Sequence, residues 1–376
     1  MDATKRLLQA LLPLVMVGCP GGGGGKGGDD TGIDVESSSA CAQVDVSLTE
    51  CPPAGDVVVD DMIPVICGAT VLSVDGEGNF GSNPSYGTND SAVAYCCYPV
   101  SIEPIENSCT YGRPYVTDGQ SRLAETTDGG GWSGELCPDL DGLAPEAREL
   151  LAAAWTAAAL DEHAAVAAFG RVALDLMAHG APADLVAWTL RAAGEEVDHA
   201  RLGFALASGY AGRPVRPGVF PLGASVPIAA DLAAFAAATA REGCVGETLT
   251  TLVALECLAK TSDPAARAAL QQITRDELEH ARLAWATVRW AIDAGGAPVR
   301  AAVAEVFARA AADGVQLPER LADGPHHDAL VAHGVPNAAM ARSSLVRGLR
   351  EVVLPAAKAL LASPVDPACS AVALAV

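Results

Sequence analysis

Positive charge is in short supply in this sequence: 24 lysines and arginines face 46 aspartates and glutamates, a formal net charge of −22. A surface that grips phosphate backbones needs a basic patch to displace counterions, so a nucleic-acid partner is excluded as an expectation. Aromatic residues make up only 5% of the chain, while alanine dominates the second half. Small side chains let helices approach closely and carry strong helix propensity, so the second half reads as packed helices. No apolar run reaches the roughly 20 residues that a membrane-spanning helix requires. No Cys-x-x-Cys pair occurs among the first seven cysteines after residue 40, so a thiolate zinc site or a built-in rubredoxin-type electron relay is not expected there.

The N-terminus has the order of an export signal. Lys5 and Arg6 precede an apolar run from Leu7 to Val17, followed by Gly18-Cys19. Val15-Met16-Val17-Gly18-Cys19 resembles a bacterial lipobox, which implies acylation of Cys19 and anchoring of the mature chain to a lipid bilayer. Residues 1–19 are thus expected to be a lipoprotein signal peptide and 20–39 a glycine-rich tether. The expected location is the bacterial cell envelope, at the outer membrane or cell surface. Residues 40–142 contain Cys41, Cys51, Cys67, Cys96, Cys97, Cys109 and Cys137 among turn residues and short β-branched runs. In an exported chain this composition predicts a small disulfide-rich module of strands and irregular segments. Seven is odd, so one thiol stays outside the pairing, and spacing does not assign the connectivity. Tyr111 to Tyr115 reads as a tight turn without assigned chemistry.

From Leu143 the pattern turns helical. Pro145 starts a helix that runs to about His179, where Gly180-Ala181-Pro182 stops it, and Asp184 opens a second that reaches about Ser208. Gly212 to Pro227 holds four prolines and is an extended crossover. A third helix spans about Ala229 to Lys260, and a fourth starts at Pro264 and ends near Gly295-Gly296. Short, long, short is the order of the connections, which is four-helix-bundle topology with one long link. Val299 to Asp313 and Ala338 to Ala362 read as further helices packed on it. The domain reading is therefore 143–297 for the bundle and 298–376 for a C-terminal helical extension.

Glu195-Glu196-Val197-Asp198-His199-Ala200-Arg201-Leu202 recurs 81 residues later as Asp276-Glu277-Leu278-Glu279-His280-Ala281-Arg282-Leu283. Residues three apart share a helix face, so Glu196 with His199, and Glu277 with His280, each offer a carboxylate and an imidazole to one point. Two such pairs on the second and fourth helices suggest two metal ions. Metal sites of this kind draw one more carboxylate from each of the other two helices. Glu162 is level with Glu196 across the first hairpin, with Asp161 and Asp175 as alternatives on other faces. On the third helix Glu247 is level with Glu277 and is favoured over Glu242, while Glu256 lies too near the turn.

With these residues in place, residues 145–295 resemble the ferritin-like superfamily of di-iron carboxylate proteins, with rubrerythrin as a relative. The resemblance implies a metal set of Glu162, Glu196, His199, Glu247, Glu277 and His280 that holds two iron ions, manganese being possible, and reacts with oxygen or peroxide. It points to a di-iron oxidoreductase or an iron-oxidising protein of unknown substrate. The alternative is a non-catalytic structural or binding module of the cell envelope. Among the remaining candidates, Arg201 and Arg282 are expected to pair with Asp198 and Glu279, and Thr250 and Thr251 to bond back to helix carbonyls. His163 is expected in an interhelix or surface role, His179 at a helix end, and His326, His327 and His333 as solvated loop residues. Cys244 and Cys257 read as buried thiols.

Overall fold

The computed structural model describes residues 115–363 apart from 118–119, 133, 135, 224, 227 and 316–325, together with residue 53 and the strand segments 39–44, 63–64, 69–74, 79–81 and 94–104. The signal peptide with Cys19, the tether up to residue 38, and residues 111–114 lie outside the described residues. So do the side chains of the cysteines before Cys137, and no disulfide forms among the described residues.

The chain is mainly helical. Its N-terminal part contributes strands β1 Ser39–Val44, β2 Ile63–Pro64, β3 Ala69–Val74, β4 Asn79–Gly81 and β5 Ala94–Pro104. They form a five-stranded antiparallel sheet in the order β2-β1-β5-β3, with β4 also on β5. In the β1–β5 ladder Cys41 lies opposite Cys97. Strands β6 Val116–Thr117 and β7 Gln120–Ser121 form a small hairpin, followed by β8 Thr126–Asp128.

Helix α1, Pro145–Ala178, begins with proline at its first turn, where the missing N–H costs nothing. It ends at Gly180, whose φ of 72° lets Ala181 N–H donate to the Leu176 carbonyl at 2.9 Å. Helix α2, Ala183–Ala211, returns along α1 and stops at left-handed Gly212. The two pack so closely that a Cβ on Gly203 would come within 2.8 Å of the Ala159 Cβ, so only glycine fits there. The crossover carries β9 Val215–Pro217, which pairs with β8 and thereby ties the N-terminal part to the helices. Asp175 on α1 fastens the crossover's far end by accepting the Ala229 N–H at 2.7 Å, a buried structural role that removes it from the metal alternatives.

The third helical stretch is continuous but not uniform. It consists of α3 Leu232–Thr239, capped by Asp231, then a π-helical segment Ala240–Glu247, then α4 Thr248–Lys260. Helix α5, Pro264–Asp313, is capped by Asp263 and breaks at Gly296, where φ 65° and ψ −141° precede Pro298. The break lies where the Gly295-Gly296 pair predicts the fourth helix to end. Beyond it follow α6 His327–Ala332, α7 Ala338–Gly348, a π-helical turn Leu349–Val353 and α8 Leu354–Ala362, with α7 packed on α4 and α8 on α5. Among the described residues, no helix is long and apolar enough to cross a membrane.

Two of the apolar clusters among the described residues lie toward opposite ends of the helices, with a smaller one around Ala159, Ala200 and Phe204. One gathers Leu176, Trp188, Phe235, Leu249 and Trp285, and the other Leu151, Trp155, Tyr210, Ala266 and Leu270. Residue numbers on α1, α2 and α5 place the polar Glu/His positions between them. His333 differs from its expectation as a solvated loop residue. It is buried in the second cluster, where Tyr210 Oη lies 2.9 Å from its Nδ1 and the Trp155 indole N–H donates to its carbonyl at 3.1 Å. Burial pushes the Tyr210 hydroxyl pKa upward, which keeps the hydroxyl protonated and able to donate.

Candidate metal centre

Midway along the helices, ligand atoms of Glu162 from α1, Glu196 and His199 from α2, and Glu277 from α5 all lie within 4.8 Å of one another. Glu196 and His199 are fully buried and Glu277 is 8% exposed, while Glu162 is half-buried. Helix periodicity places each pair: a carboxylate and an imidazole three residues apart leave the helix on one side. Because α2 and α5 face each other, the two sides meet.

The imidazoles are arranged as a cross-braced pair with ring centres 5.7 Å apart. His199 Nδ1 lies 3.1 Å from Glu196 and 3.3 Å from Glu277. His280 Nδ1 lies 2.9 Å from Glu196 and 3.3 Å from Glu277. Both Nδ1 atoms therefore point at the same two carboxylates. The outer nitrogens point the other way, His199 Nε2 to Asp276 at 3.2 Å and His280 Nε2 to Glu195 at 2.7 Å. Each repeat thus supplies the outer partner of the other repeat's histidine. Phe169 of α1 closes the site from one side, edge-on to His280 with ring centres 5.6 Å apart.

Electrostatics follow from that geometry. Burial alone would lower the His199 pKa, but the Glu196 charge and hydrogen bonds to Asp276, Glu196 and Glu277 raise it well above 6.5. His280 behaves in the same way under Glu277, Glu196 and Glu195. Glu277 is held below the usual carboxylate range: burial and the neighbouring Glu196 push its pKa upward, and the two histidines outweigh them. A neutral imidazole donates through one nitrogen only, whereas both nitrogens of each ring here face carboxylates. Without a cation the rings must carry the positive charge themselves. The donor set, carboxylate oxygens and imidazole nitrogens buried between apolar layers, fits a divalent transition metal.

Glu247 is fully buried and sits against the same region: Thr251 Oγ donates to its carbonyl at 2.7 Å and lies 3.4 Å from the Glu277 carbonyl. Its carboxylate is not among the four groups that converge within 4.8 Å. The phase argument that selects it assumes 3.6 residues per turn, and the π-helical segment that ends at Glu247 departs from that geometry. Glu242 is committed elsewhere, accepting from Arg171 at 3.0 Å. Arg201 pairs with Asp198 at 3.5 Å and Arg282 with Glu279 at 2.7 Å, and Thr250 and Thr251 bond back to helix carbonyls. His163 packs edge-on against Trp132 and Phe220, and His179 stacks on Phe235.

Glu195 and Asp276 are the residues that sequence reasoning left without a role. The signal was present, since both repeats open with an acid at that position. A hydrogen bond to the outer nitrogen fixes ring orientation and raises basicity at the metal-facing nitrogen. Asp276→Ala and Glu195→Ala are each expected to weaken metal binding by about 10- to 100-fold, read by competition against a chelator of known affinity. Equal affinity to the unaltered chain would remove both residues from the site.

Fold and site together define a mainly helical protein with a buried carboxylate and histidine group able to hold a metal. No protein-family model, no curated protein and no solved structure matches the chain.

Proposed function

We propose that this chain is a ferritin-like di-iron carboxylate protein, tethered to the bacterial envelope through acylated Cys19, that reacts with oxygen or peroxide. One observation carries the reading: two copies of Glu-x-x-His, from separate helices, turn both Nδ1 atoms onto the same two carboxylates. Glu196, His199, Glu277 and His280 would hold the metal, and Glu162 and Glu247 would each add a carboxylate from the other two helices. Four carboxylates balance the charge of two divalent cations, which lowers the cost of burying them. Bound ferrous iron would supply electrons to oxygen or peroxide, the iron being oxidised to the ferric state. The protein's own part is to hold the ligands, keep Nε2–H of each ring on Asp276 or Glu195, and exclude water with Phe169 and the flanking apolar layers.

The envelope location rests on the Lys5-Arg6 start, the apolar run and the lipobox-like Val15 to Cys19, with disulfides in residues 40–142 as the matching chemistry. No cysteine-ligated electron relay is visible in the sequence, which favours peroxide reduction, iron oxidation or a stoichiometric oxidation over a multi-turnover oxygenase. Anaerobic addition of ferrous iron to the purified mature chain, followed by oxygen, is expected to show about two ions per chain and a new near-ultraviolet absorption. An intact helical fold that retains no metal in elemental analysis would overturn the proposal.

A further inference from the structure

On a face of α1 adjoining that of the Glu/His group lies a cavity of 580 Å³ that the metal chemistry does not use. Ala165 and Phe169 are buried toward the helix core, while His163, Gly170 and Leu174 line the cavity. Its walls come from three stretches distant in sequence: Tyr115 and Trp132 from the N-terminal part, α1, and Phe220, Leu222 and Val226 from the crossover. The cleft opens to solvent, with Leu174, Leu222 and Val226 of its lining exposed, and its volume lies within the range typical of small-molecule sites.

The lining is almost wholly apolar, and its rings are set edge-on: Trp132 and Phe220 against His163 with centres 4.8 and 5.5 Å apart, and Tyr115 against Phe220 at 5.5 Å. The permanently charged side chain of the lining is that of Arg171, and it is already paired. Arg171 is neutralised by Glu242 at 3.0 Å. A charged molecule would lose its hydration without compensation there. Gly170 opens the floor, because a Cβ at that position meets no atom within 4 Å.

We propose that this cavity binds an uncharged, largely hydrocarbon small molecule with an aromatic or alicyclic body, held by the Trp132, Phe220 and Tyr115 rings. The site is independent of the metal reading, since its walls share no residue with the Glu/His group.

The test uses the full mature chain and the neutral fluorophore N-phenyl-1-naphthylamine. Saturable fluorescence enhancement is expected at about one probe per chain, displaced by 1-octanol and not by octanoate. Gly170→Leu projects into the open floor and should weaken probe binding by at least about tenfold while the melting temperature is kept or raised. Ala167→Phe gives the same readout should Gly170→Leu fail to fold. Probe uptake that never saturates, or that both folded variants retain unchanged, overturns the proposal. So does the absence of uptake by the full chain, which would mean that a segment of the chain itself fills the space.

Discussion

Glu196→Ala is expected to abolish metal retention while the chain stays helical. Glu196 is the carboxylate that both imidazoles share, 3.1 Å from His199 and 2.9 Å from His280, and it is fully buried. Its loss takes a ligand from both halves of the site at once, so metal affinity should fall by more than the roughly 100-fold typical of losing an outer partner. The fold should survive, because the apolar layers on either side of the site hold α1, α2 and α5 together without it. Removing one of two adjacent buried carboxylates also relieves like-charge repulsion with Glu277. Glu196→Gln keeps the shape and should lose metal nearly as completely, which separates charge from packing. Glu162 is half-buried, so Glu162→Ala should cost less. Glu242→Ala should leave metal content unchanged, since Arg171 already occupies that side chain. Elemental analysis with circular dichroism on the four variants decides the matter. Full metal content in Glu196→Ala would refute the assignment.

That ranking also shows how far the sequence carried the reading. Helix ends at Pro145, Gly180, Pro264 and Gly296 were legible because proline and glycine act locally, through a missing donor or a positive φ, whereas the second helix runs past its expected end near Ser208 to Ala211 before left-handed Gly212. The pairing of Glu196 with His199 and of Glu277 with His280 was legible for a similar reason, as α-helical spacing fixes which side chains share a face. What remained hidden depended on contacts between helices or on departures from regular geometry. The cross-bracing by Glu195 and Asp276 exists only once α2 meets α5. The position of Glu247 depends on a π-helical segment that no local pattern announces, since one wide turn rephases everything after it. His333, three residues before a proline in a link rich in Gly, Pro and His, looked solvated and is instead buried against Tyr210. Only the tertiary fold supplies that partner.

The metal-free protein is expected to lose stability as pH rises, and the metal-loaded protein to resist that loss. In the metal-free form His199 and His280 have pKa values raised well above 6.5 by the carboxylates around them. A histidine whose pKa is higher folded than unfolded binds its proton more tightly in the folded chain. Its contribution is complete below the unfolded value and drains away as pH climbs through the folded one. Above that point Glu196 and Glu277 face each other in a dry core with no cation between them. Each unit of displacement is worth about 1.4 kcal/mol, and two coupled histidines in a chain of this size should lower the melting temperature by about 5–10 °C between pH 6 and pH 9. Metal replaces the imidazole protons at Nδ1, so loading should flatten that dependence, and metal affinity should rise with pH because binding releases protons. The control is the double variant His199→Gln with His280→Gln, which removes the titrating groups and should melt at the same temperature across the range. Melting curves of the chelator-treated chain at pH 6, 7, 8 and 9 make the measurement, and a flat profile there would show that the two rings do not stand in for the metal.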